Sequence, residues 1–80
     1  MDRHARLIDE TVEAYVDWRE ESAAVWDAYE RWDWASAADA RLAFAAYCAA
    51  VDREERASSV YADLARRLIG DTPPPIANPA

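Results

Sequence analysis

The side chains able to do chemistry are few and poorly spaced for it. A metal site of the common His/Cys type has only His4 and Cys48 to draw on, far apart in the chain, and the Glu-x-x-His pairs of di-metal bundles are absent. Glu20-Glu21 and Glu54-Glu55 set carboxylates side by side in sequence, but helix neighbours diverge by about 100° and form no acid–base dyad. Ser58-Ser59 lacks a histidine partner, and a chain with one glycine cannot build a Gly-rich phosphate loop. Hence no catalytic, metal or cofactor site is expected. His4 is expected to be solvated, and Cys48, which excludes an intramolecular disulfide, to act as a small core residue.

The elements that would position these residues are helical. From about residue 4 to 33 the chain contains neither Gly nor Pro, and its apolar residues recur at helical spacing. Ile8, Tyr15, Ser22 and Tyr29 share one heptad position, Thr11, Trp18, Val25 and Trp32 another, and Arg6, Glu13, Glu20 and Asp27 form the opposite stripe. Ser36 followed by Asp39 matches a capping box and predicts a second helix from Ala37 to about residue 69. Tyr47, Val51, Ser58, Tyr61, Leu64, Ala65 and Leu68 would carry its apolar face. Gly70 reads as the C′ residue, and Thr72-Pro73-Pro74-Pro75 opens an extended, polyproline-like tail over 71–80. Acid–arginine pairs at i,i+4 (Asp2/Arg6, Asp27/Arg31, Asp52/Arg56 and Asp63/Arg67) each add only about 0.2–0.5 kcal/mol, but all support continuous helices. The fold expected is all-α: an antiparallel two-helix hairpin over residues 1–70, facing residues having numbers that sum to about 70.

Bulk properties narrow the function classes. The 80 residues carry a net charge of −7, with nine arginines and no lysine, and a pI near 4.5. That balance speaks against nucleic-acid binding and against attachment to anionic lipid. No stretch approaches the roughly 20 apolar residues of a membrane span. Met1-Asp2-Arg3-His4 runs straight into an amphipathic segment with no apolar h-region, so a cytoplasmic location is expected.

A hairpin alone leaves apolar surface uncovered. "LAFAAYCAAV", 42–51, is apolar all round, which predicts burial all round. With Val25 and Trp26 packing over Ala43 and Ala46, either Phe44 or Tyr47 would point away from the seam. A second copy would cover it, giving a homodimeric four-helix bundle whose interface comprises Leu42, Phe44, Ala45, Ala46, Tyr47 and Val51. Trp32 and Trp34 flank the turn and would either close the end layer or form a partner-binding hot spot. The acidic ladder Asp9, Glu13, Asp17 and Glu21 sets like charges at i,i+4. Arg53 opposite Asp17 and Arg56 near Glu13 would compensate most of it; otherwise it suits an Arg-rich protein partner. Glu54 lies on the stripe between Tyr47 and Tyr61 with Tyr15 about opposite. It is read either as a solvated flank residue or as a Tyr–Glu hydrogen bond that sets register.

The architecture of residues 4–69, with Trp32-Asp33-Trp34 and Trp34-Ala35-Ser36 at its turn, resembles the WXG100 family of type VII secretion substrates. Both tripeptides lack that motif's glycine. The family's Tyr-x-x-x-acid signal has no counterpart after the second helix, where Ala65 stands four residues beyond Tyr61. Tyr29 to Asp33 has the spacing, within the first helix. The resemblance implies a secreted hairpin effector or chaperone partner that pairs as a four-helix assembly. The residues by themselves point first to a non-enzymatic module that self-associates and binds another protein.

Overall fold

The computed structural model describes residues 2–71, which form α1 (Arg3–Asp33) and α2 (Ala40–Asp71) packed as an antiparallel hairpin. Among the described residues there is no strand. The tail expected over 71–80 lies outside the described residues apart from Asp71, the last residue of α2.

Each helix boundary has a local cause. Asp2 caps α1: its backbone is extended and its carboxylate accepts the His4 backbone N–H at 3.3 Å, satisfying one orphan donor of the first turn. The first helical ring closes from Arg6 N–H to the Asp2 carbonyl at 3.1 Å. At the other end, Trp34 N–H reaches the Glu30 carbonyl at 3.0 Å. The Ser36–Asp39 pair is formed, with the Asp39 N–H donating to Ser36 Oγ at 3.3 Å and the Ser36 hydroxyl to Asp39 Oδ2 at 3.1 Å. It closes a single turn over residues 37–39, however. Helical bonding starts from the Asp39 carbonyl, which accepts Ala43 N–H at 2.9 Å, so α2 begins at Ala40 and not at Ala37. The longer connection also lets the chain reverse with no residue at positive φ.

Gly70 is a second departure. It stays helical, with no positive φ, and α2 runs through Asp71. Nothing forces the left-handed conformation there.

The seam uses a 3-4 row on each helix. On α1 it runs Leu7, Thr11, Ala14, Trp18, Glu21, Val25, Ala28, Trp32; on α2 Ala43, Tyr47, Ala50, Glu54, Ala57, Tyr61, Leu64, Leu68. All are buried or half-buried. Residues that meet across the seam, Trp18 with Glu54, Glu21 with Arg53, Tyr15 with Tyr61 and Tyr29 with Tyr47, have numbers summing to 72–76, about 74 rather than 70. The later start of α2 carries most of this shift of about one turn. Val25 consequently lies level with Ala50, and Trp26, expected over Ala43 and Ala46, is 69% exposed.

Small residues allow the helices to approach. Among the described residues Ala14 and Ala50, at 6% and 1% exposure, are the buried hydrophobic residues, and no large side chain is fully buried. Thr11 is also buried and satisfies its hydroxyl on the Leu7 carbonyl at 2.7 Å. A two-helix seam shields a large side chain on one flank only.

Candidate interaction surface

The seam aromatics and their neighbours on one flank form two clusters separated by a polar layer. Toward the open end, Tyr15 and Trp18 meet Tyr61 at ring separations of 5.5 and 5.4 Å. Near the turn, Trp32 lies 4.8 Å from Phe44 and 5.4 Å from Tyr47, while Tyr29 lies 6.0 Å from Tyr47. Tyr47 lies in the seam, and Phe44, 45% exposed, is the one of the two that turns outward, as expected, with its ring still beside Trp32.

Between the clusters, Trp18 donates its indole N–H to Glu54 Oε1 at 2.9 Å, and Arg53 Nε pairs with Glu21 Oε2 at 3.3 Å. Glu54 is therefore half-buried and tied to Trp18, neither free on the flank nor bonded to Tyr15. Arg53 meets Glu21, one turn from the Asp17 expected opposite it. The shifted register brings both pairs together. Asp9, Glu13 and Asp17 are exposed, and among the described residues they form no ion pair, so the ladder is compensated at Glu21 alone. Of the four i,i+4 pairs, Asp63–Arg67 closes, at 3.1 Å, with Arg66 also near Asp63.

The Trp18–Glu54 bond is expected to be measurable in urea melts. Trp18→Phe should cost about 1–2 kcal/mol, because it leaves a half-buried carboxylate without its donor. Glu54→Gln keeps an acceptor and should cost less. The double variant should reveal a coupling of about 1 kcal/mol; additive losses would mean the bond contributes nothing to stability.

The hairpin has two unlike sides. One carries Ile8, Val12, Tyr15, Trp26 and Tyr29 from α1 with Phe44, Val51 and Ala65 from α2. Its large side chains are exposed, Val51 and Ala65 half-buried, and Val25, Trp26, Tyr29 and Tyr47 line a depression of about 320 Å³ there. The other side carries Glu10, Asp17 and Arg31 against Arg53 and Arg67. The six residues expected at a self-association interface are divided between them. Phe44, Tyr47 and Val51 belong to the apolar side. Leu42, 76% exposed, and Ala46 line a depression beside Arg31 and Asp39 on the charged side, and Ala45 sits on the outer surface of α2. The turn tryptophans separate as well. Trp32 packs in the aromatic cluster, whereas Trp34, at 86% exposure, projects into solvent.

Cys48 is exposed rather than a core residue, since it falls one position beyond the seam residue Tyr47. His4 is half-buried in the first turn of α1, not solvated. The Ser58 hydroxyl bonds its own helix at the Glu55 carbonyl, 2.9 Å away. Among the described residues no group of three His, Cys, Asp or Glu side chains could hold a metal ion, and no helix is long and apolar enough to cross a membrane. Compared with known proteins, the chain matches no family model, no curated protein and no solved structure.

Proposed function

We propose that this chain is a non-enzymatic interaction module, an acidic helical hairpin that self-associates through its apolar side into a four-helix bundle and binds another protein. One observation carries the reading: a row of large apolar side chains stands exposed along one side of the hairpin, while among the described residues the buried hydrophobic ones are two alanines. A patch of that kind marks an association surface, and a chain this short gains most of its missing burial from a partner. Exposed Trp34 at the turn and the unpaired acids Asp9, Glu13 and Asp17 support a second, Arg-rich protein partner. The hairpin with an exposed tryptophan at its turn also suits a secreted WXG100-like effector, and a type VII secretion cluster beside the gene would favour that reading.

Light scattering after size exclusion at micromolar concentration tests the first part. The expected mass is about twice the 9.0 kDa of one chain. A folded monomer at every concentration overturns self-association.

A further inference from the structure

We infer that the second copy packs on the apolar side with its turn at the same end, so that α1 of each chain lies along α2 of the other. The inference rests on the self-association proposed above and adds its geometry.

Beyond the exposed and half-buried residues that flank the seam, the next heptad position outward is 5, 12, 19, 26, 33 on α1 and 41, 48, 55, 62, 69 on α2. All ten residues are exposed. They lie about a quarter-turn from the seam, where an adjacent helix of a four-helix bundle would sit. A two-fold axis along the helices keeps both copies level, so the register inside the hairpin also governs contacts between chains. Residues whose numbers sum to about 74 then meet across the interface.

The resulting pairs are complementary in charge. Arg19 meets the partner's Glu55, and Asp33 meets the partner's Arg41. Within one hairpin none of these four forms an ion pair among the described residues, so each is available to a partner. Apolar residues meet apolar ones: Val12 faces the partner's Ala62, and Trp26 faces the partner's Cys48, a large side chain over a small one.

The competing arrangement has its turns at opposite ends and the two-fold axis across the helices. It lays α1 on α1 and α2 on α2. Residues 19 and 55 are the middle members of their rows, so full overlap brings Arg19 against the partner's Arg19 and Glu55 against the partner's Glu55. Like charges facing at the centre of an interface disfavour it. The charges therefore select the same-ended dimer.

Cysteine cross-linking decides between the two. The chain has one cysteine, and it is exposed. Under mild oxidation Trp26→Cys should convert most of the protein to a covalent dimer on a non-reducing gel, because a disulfide forms only between closely apposed β-carbons. The parent chain and Ala62→Cys should remain uncross-linked. In the opposite-ended arrangement Ala62→Cys links to the partner's Cys48 and Trp26→Cys does not, and that result overturns the inference. A dimer in which neither variant cross-links overturns it too.

A charge swap provides an independent readout, safe against loss of packing at Trp26. Arg19→Glu alone and Glu55→Arg alone should each raise the dimer dissociation constant about tenfold. An equimolar mixture of the two should recover tight pairing as a heterodimer, since both cross-chain pairs are then opposite in sign. Equal weakening in the mixture counts against the arrangement. If the parent chain is monomeric at all concentrations, the self-association reading itself fails and the arrangement falls with it.

Discussion

Ala50→Asp is expected to abolish the folded hairpin, whereas Ala49→Asp, one residue away, should leave it standing. Among the described residues Ala50, at 1% exposure, is the most enclosed of the buried hydrophobic residues, and the register of the hairpin sets it about level with Val25. An aspartate there adds volume at a point with none to spare and buries a carboxylate without a cation. Leaving a buried charge uncompensated costs about 3–5 kcal/mol. That approaches the whole stability of a small domain, about 5–15 kcal/mol. Ala49 is exposed, so its substitution costs little beyond helix propensity, at most about 0.7 kcal/mol. Circular dichroism at 222 nm of the two variants at equal concentration is the test. Equal helicity would mean that the enclosed packing of Ala50 does not hold the hairpin together.

The second large effect is at the turn, where two tryptophans separated by one residue should behave oppositely. Trp32 is the hub of the aromatic cluster that joins α1 to Phe44 and Tyr47. Trp32→Ala should cost about 2–4 kcal/mol, somewhat below the loss for a fully enclosed indole, because its ring remains partly exposed. Trp34 caps α1 through its backbone N–H, and alanine retains that bond. With its side chain 86% exposed, Trp34→Ala should change stability by less than about 0.5 kcal/mol. If Trp34 contributes to partner binding, the substitution should reduce capture of that partner while the urea midpoint stays put. Should Trp34→Ala prove the more destabilising change, the indole of Trp34 and not that of Trp32 would be closing the hairpin end.

The charged side helps explain why an acidic chain with few basic residues still forms one seam. Arg53 and Arg67 of α2 lie on the same side as Glu10 and Asp17 of α1, and Arg53 closes on Glu21. Exposed pairs of this sort contribute at most about 1 kcal/mol each. Their larger effect is to disfavour a register that would set acid against acid. The apolar side has no such guidance within one chain. Its outer row holds Arg19, Asp33, Arg41 and Glu55, which among the described residues have no ion-pair partner inside the hairpin.

Much of this architecture was legible in the residues. The long run without Gly or Pro, the heptad row through Thr11, Trp18, Val25 and Trp32, and the Ser36–Asp39 turn together determine two helices and a reversal between them. Each is a local matter, settled by hydrogen bonding and periodicity within a few residues of chain. The register was not local. It depends on how many residues the connection consumes before α2 begins, and on which large side chain meets which alanine across the seam. Starting α2 at Ala40 instead of Ala37 moved Arg53 from Asp17 to Glu21, gave Glu54 to Trp18 instead of Tyr15, and set Ala50 rather than Ala43 level with Val25. The apolar stretch 42–51 is divided between two sides of the hairpin, because a helix that is apolar all round carries no signal of which way it faces. Only the packed pair of helices decides that, through the fit of Trp32 against Phe44 and Tyr47 and of the small alanines where the two backbones come together.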